Sequence, residues 1–137
     1  MENPDQQFEL ERLHLAVQDG NTDEVQRLIA ANAPLDSFDD VGNTPLHYAV
    51  EHERIDIATL LLDAGADVNA RDEPNIGNTP LASVAGRCSP AVAEFLINRG
   101  ADPTIPGWMQ LTALDRAAQR KRPEGRQVFD LLRRAAI

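Results

Sequence analysis

The chain has 137 residues, a net charge of −9 and 42% hydrophobic content, enough apolar material for a packed core. No apolar run approaches the roughly 20 residues a membrane-spanning helix needs, and a single cysteine excludes an internal disulfide. The acidic start Met1-Glu2-Asn3-Pro4-Asp5 has neither the basic nor the apolar part of an export signal, so a reducing, cytoplasmic setting is expected.

Asp5 is expected to cap a first helix running through Phe8, Leu13 and Val17. Asn32 stands where a later helix closes, and asparagine is second only to glycine in left-handed backbone. Thr44 is an N-cap candidate, with Pro45 at the first helical position, where a missing N–H costs nothing. Leu46, Ala49 and Val50 give that helix a short apolar stripe, and its end is expected within residues 52–54. A second helix starts at about Ile55 and carries Ile57, Ala58, Leu60, Leu61 and Leu62 on a broad apolar face. Gly65 is placed to close it. The pattern restarts at Thr79-Pro80-Leu81, closes at Gly100, and restarts as Thr112-Ala113-Leu114. Cys88 falls where a helix-ending glycine is expected, which predicts local backbone strain. Residues 121–124 read as an insertion of about three residues in the last turn.

The equivalent positions are 11, 44, 79 and 112, a period near 33 residues. Such a period marks stacked repeats that make an extended binding surface in place of a closed catalytic pocket. The start Gly42-Asn43-Thr44-Pro45-Leu46-His47, the paired leucines 61 and 62, and the ending Gly65-Ala66-Asp67-Val68-Asn69 resemble the ankyrin repeat family. Residues 77–102 keep most of the pattern. Residues 11–39 lack Thr-Pro, and residues 110–137 stop before a Gly-Ala ending. The resemblance implies an all-α solenoid of about four stacked repeats, near 8–40, 41–75, 76–109 and 110–137. Each would be helix–turn–helix plus a β-hairpin-like loop, with polar N- and C-terminal caps, in one domain over 1–137. It also implies that His14 and His47 bond the neighbouring hairpin, and that Asp67, Asn69 and Asp102 satisfy backbone N–H groups in the ending loops.

Residues 1–75 carry a net charge of −13 and residues 76–137 a net of +4, so a partner meets two local fields. The acidic half either steers a basic partner or simply solvates an exposed face. It also repels phosphate, so nucleic acid is not expected as a ligand. The family resemblance places partner binding in a concave groove of hairpin tips and first-helix faces. By register these positions are Asp40, Val41, Asn43, Asn75, Ile76, Asn78, Trp108 and Met109 at the tips. On the helices they are Tyr48, Glu51, His52, Arg87 and Arg120. Asp72–Asn75 makes the middle tip two residues longer than the period requires. Trp108 either anchors a partner or packs over the third and fourth repeats.

No chemistry competes with this reading. His14, His47, His52 and Cys88 share no metal spacing, and no phosphate loop or nucleophile elbow is present. The carboxylate pairs Asp39-Asp40 and Glu51/Glu53 are expected on a solvated surface with nothing to desolvate them, so their pKa values have little reason to shift. The expectation is a non-catalytic protein-binding module without cofactor or metal, monomeric when unbound. An inhibitor or immunity protein that neutralises a basic enzyme or toxin, and a structural subunit of a larger assembly, are the alternatives.

Overall fold

Three buried or half-buried threonines set the helical register. Thr44, Thr79 and Thr112 stand in extended backbone one residue before a helix, and each hydroxyl accepts the N–H three residues on. In the computed structural model, which describes the backbone of residues 4–136 and the side chains of residues 11–136, eight α-helices occur in order. They are α1 (Pro4–Gln18), α2 (Thr22–Ala30), α3 (Pro45–Glu51), α4 (Ile55–Asp63), α5 (Pro80–Val84), α6 (Pro90–Asn98), α7 (Ala113–Ala118) and α8 (Pro123–Ala135). Short 3-10 turns occupy Glu73–Asn75 and Trp108–Gln110. This is an all-α repeat fold, and no strand forms among the described residues. Two of the hairpin-like tips are instead closed by single rungs, Asp39 N–H to Asn43 O (2.9 Å) and Gly107 N–H to Leu111 O (3.0 Å).

The described residues form two compact units, Met1–Asp67 and Val68–Ile137. In the first, α1 packs on α2 and α3, and α4 packs on α2 and α3. Leu13, Val17, Val25, Leu46, Val50, Ile57 and Leu61 are buried there, with Ala49 and Ala58 admitting close helix contact. In the second, α8 packs on α6 and α7, and α7 on α5. Its core holds Leu81, Val84, Val92, Leu96, Val128 and Leu132.

Three expectations change. α1 is already helical at Pro4, so Asp5 lies inside its first turn and does not precede it. Cys88 is buried and is not among the left-handed residues. Its N–H and that of Arg87 both bond Val84 O, so the turn closes without positive φ there. No residues are inserted at 121–124, because the second helix starts 11 residues after the threonine at Ile55, Pro90 and Pro123 alike. The extra length lies in α8 itself, with 13 residues against 9 in α6.

Loop carbonyls and N–H groups find side-chain partners at repeat spacing. Asn69 accepts from Asp102 N–H (2.8 Å) and donates to Gly100 O (3.2 Å), while Asp36 accepts from Asp67 N–H (2.9 Å). Asp102 in turn accepts from the backbone and hydroxyl of Thr104, which hold its carboxyl below the usual range. Gly65 closes α4 at φ +108°, and Asn32 reaches φ +61° at the corresponding place after α2. Few non-glycine residues accept the first angle.

Leu61 is fully buried between helices, so Leu61→Ala should lower unfolding stability by about 2–5 kcal/mol. Gly65 has open space around the site of a Cβ, so Gly65→Val meets only backbone strain and should cost more than about 1 kcal/mol. Urea denaturation followed by circular dichroism measures both, and small effects at both would contradict this register.

Candidate protein-binding surfaces

The first surface belongs to the first unit and is built on the 39–43 tip. Asp39 folds this loop around its carboxylate, which accepts from Val41 N–H (3.1 Å) and Asn43 N–H (2.9 Å). The Tyr48 hydroxyl, on α3, donates to its other oxygen. Burial works against the charged form of Asp39. The hydroxyl and the two N–H bonds outweigh it and hold the carboxyl below its ordinary range. Burial, reinforced by the bond to Asp39, pushes the Tyr48 hydroxyl up to about 12. Asp39 is therefore not the freely solvated carboxylate that its sequence neighbour Asp40 suggested. The loop brings it back against a tyrosine nine residues away.

His14 supports the same tip from below. Its Nε2–H is shared between Ser37 O (2.8 Å) and Asn43 O (3.0 Å), and its ring meets Tyr48 edge-on with centroids 6.1 Å apart. The histidine thus bonds the hairpin, as the family resemblance implied. Its other nitrogen, Nδ1, is buried without a partner. The reason is visible one repeat later, where His47 Nδ1 takes the Thr44 N–H (3.0 Å) and hydroxyl (2.8 Å). In the first repeat the threonine is replaced by Glu11, inside the continuous helix α1, so its N–H is spent on the helix.

On this framework Val41 is 74% exposed, with Asp40, Glu51 and His52 also exposed and Asn43 and Tyr48 half-buried. Leu15 and Phe38 add exposed apolar area. Sequence reasoning missed both. Leu15 had a usable signal, since it stands 33 residues before Tyr48 in the same register.

The second surface belongs to the second unit, which carries both the 73–78 and the 108–110 tips. Asn78 joins them: its Oδ1 accepts from Trp108 N–H (3.0 Å) and from the Arg116 guanidinium (3.4 Å). Arg116 also donates to Trp108 O (3.2 Å) and Arg71 to Pro106 O (3.1 Å). Gly107 is required at this junction, because a Cβ would stand 2.2 Å from Asn78 Oδ1. At the tips themselves Trp108 is 58%, Met109 71% and Ile76 46% exposed. Trp108 is thus presented to solvent and is not buried over the repeats beneath it.

The backbone beneath these side chains is strained. Ile76 sits at φ 54°, ψ 46°, and Met109 at φ 61°, with Gln110 also left-handed. A β-branched residue in this region is an outlier, and each such residue costs about 1–3 kcal/mol. Ile76 is held there by its own N–H to Glu73 O (3.1 Å), by Gly77 N–H to Asp72 O (2.9 Å) and by Asn75 on the Asp72 carboxylate (2.7 Å). Met109 is bracketed by Gln110 N–H to Gly107 O (2.9 Å).

Asn75 and Arg87 are exposed and Asn78 half-buried. Two of the expected contact residues, Asn78 and Arg120, spend their polar atoms inside the fold. Arg120 donates to Ala85 O (3.4 Å) and Cys88 O (2.8 Å), satisfying the turn between α5 and α6. Arg116, which steadies the Trp108 tip, was not foreseen as functional. Among the described residues no group of three or more His, Cys, Asp or Glu is placed to hold a metal ion, and no helix is long and apolar enough to cross a membrane.

The Asp39–Tyr48 bond has a readable titration, since Tyr48 is the only tyrosine. An unfolded tyrosine ionises near 10, so the bond contributes fully below that pH and is lost as pH rises to about 12. Ultraviolet titration should give a midpoint near 12 in native protein and near 10 in denaturant, with Asp39→Asn lowering the native value. A native midpoint near 10 would show Tyr48 neither buried nor bonded to Asp39 in solution.

Comparison with known proteins agrees with this architecture. A family model described as ankyrin repeats (3 copies) matches residues 2–72, and a second, ankyrin repeats (many copies), matches residues 48–97. Human inversin is 38% identical over 100 residues, covering 72% of this chain and 9% of inversin. The nuclear factor NF-kappa-B p105 subunit of Mus musculus is 36% identical over 110 residues, 77% of this chain and 11% of that protein. A putative ankyrin repeat-containing protein of Treponema pallidum is 35% identical over 102 residues, 74% of this chain and 34% of its own length. The chain thus spans only about a tenth to a third of these curated relatives. With capped helical pairs recurring at a fixed spacing and more than half its length matched, the chain belongs to the ankyrin repeat family.

Proposed function

We propose that this chain is a non-catalytic module that binds another protein through its hairpin tips and the first-helix faces beside them. Ankyrin repeats generally mediate protein–protein interaction, and one observation on this chain carries the reading further. Trp108, Met109 and Ile76 expose large apolar side chains, two of them from left-handed backbone that the fold holds in place. Apolar area in water and backbone strain both oppose folding, so neither is explained by stability. A pre-ordered tryptophan instead loses little entropy on binding, and tryptophan is enriched among the residues that dominate interface energies.

A second reading concerns the partner's charge. Asp40 and Glu51 are exposed beside Val41 on the first unit, within a segment of net charge −13. That favours a partner with a basic face, and an inhibitor of a basic enzyme or toxin fits it.

The test is capture from native lysate with the wild-type chain beside a Trp108→Ala, Ile76→Ser variant of verified fold. A stoichiometric partner captured by the wild type and lost by the variant is expected; retention by the variant would move the interface away from these tips. Ile76→Gly should leave stability unchanged or raise it while weakening capture, since it removes the strain and the side chain together. With a partner in hand, reversing Asp40, Glu51 and Glu53 to lysine should slow association about tenfold or more at low salt. Unchanged rates would remove the basic-partner reading.

A further inference from the structure

A cleft opens where α7 turns into α8. It is an open cavity of about 740 Å³, within the size range of ligand-binding clefts. Residues 110–137 carry seven basic side chains and three acidic ones, and five of the basic residues line this one cleft. Two of them are engaged within the protein. Arg120 bonds the Ala85 and Cys88 carbonyls, and Arg133 pairs with Asp130 at 3.7 Å. The other three, Lys121, Arg122 and Arg126, are exposed and have no acidic side chain within salt-bridge distance among the described residues.

The arrangement is built by the fold. Gly125 lies buried against Arg120, and a Cβ there would stand 2.3 Å from the Arg120 Cβ. This close approach brings the start of α8 down onto α7 and gathers Arg120, Arg122 and Arg126 at one mouth. Arg122 is the N-cap of α8 and makes no side-chain cap bond, so the helix end adds positive potential to the same place. Pro123 and the half-buried Phe129 supply an apolar floor.

We infer that this cleft docks a short acidic segment of a protein, carboxylates on Lys121, Arg122 and Arg126 and an aliphatic side chain on Phe129. Guanidinium groups pair with carboxylates in forked geometry, and an apolar floor between cations suits a peptide that alternates acidic and aliphatic residues. A nucleic acid fits less well. It brings a continuous line of phosphates, about one charge per 1.7 Å of duplex axis, to a chain whose net charge is −9. The cleft also offers a single aromatic ring, where single-strand binding uses several. A few carboxylates on a short peptide meet only the local field, because charges beyond about 8 Å are screened at physiological salt.

The experiment is fluorescence anisotropy of the whole chain with a labelled peptide alternating glutamate and leucine, beside a single-stranded oligonucleotide of equal charge. The peptide should bind at low salt. Arg122→Glu/Arg126→Glu should weaken it about tenfold or more, and Lys121→Glu, an exposed position outside α7 and α8, should weaken it in the same direction. Trp108→Ala/Ile76→Ser should leave peptide binding unchanged, which separates this surface from the tips. Absence of peptide binding, binding indifferent to these charge reversals, or tighter binding of the oligonucleotide would each overturn the assignment.

Discussion

A threonine hydroxyl at the end of each tip, buried at Thr44 and Thr79 and half-buried at Thr112, governs most of what this chain presents. Thr44 and Thr79 have almost no exposed surface, so their hydroxyls must find partners inside the protein, and the first turn of the next helix supplies one. That single bond ends the extended segment, starts the helix and sets the distance to the second helix of the pair. Every tip residue upstream and every first-helix residue downstream is then placed by counting from it. The first repeat lacks the cap and bears the cost. Its helix runs back past Glu11, and His14 keeps its bond to the tip but leaves Nδ1 orphaned. An unmet buried acceptor of this kind costs about 1–3 kcal/mol.

The fold commits its polar side chains to backbone groups at repeat spacing. Asn69, Asn78 and Arg120 each reach carbonyls or N–H groups roughly 30 residues away. These residues look available when the chain is read as a line, and they are spent once it is folded. Among the described residues, groups left exposed include the apolar tips of the second unit, the Val41 tip of the first, and Lys121, Arg122 and Arg126 at the mouth of the α7–α8 cleft. Apart from the unpartnered His14 Nδ1 and Arg116 Nε, the bonds beneath the tips hold them in one arrangement, and a side chain already held in place loses less entropy on binding.

Much of the fold was legible from local pattern. Thr-Pro at a helix start, paired leucines and glycine at a helix end act through their immediate neighbours, so α3 and α4 begin and end close to where the residues indicate and α6 ends just before Gly100. The positions of the tips were legible for the same reason, but whether Trp108 stood in solvent or packed on the repeats was not, and Asn43 and Asn78 proved half-buried. Other features were not. Asp39 reads as one of two solvated acids until Tyr48 is placed against it, and Arg120 reads as a surface cation until its carbonyl partners are located. In both cases the deciding partner comes from another part of the fold. Cys88 reads as strained because it falls where a helix-ending glycine is expected, but that reading ignores how the turn is closed: its N–H bonds Val84 O and the strain never arises.

The sequence by itself determined the repeat period, the starts of α3, α4, α5 and α7 and the separation of charge along the chain, because each depends on residues close together in order. Only the tertiary structure decided which polar side chains are free. It also showed that Ile76 and Met109 occupy left-handed backbone, and that the α7–α8 cations converge on one cleft. The first depends on hydrogen bonds between segments far apart in order and on burial, which removes water as the alternative partner. The left-handed turns and the cleft rest on short-range closures such as Ile76 N–H to Glu73 O and Gly125 against Arg120, which a repeat pattern does not announce.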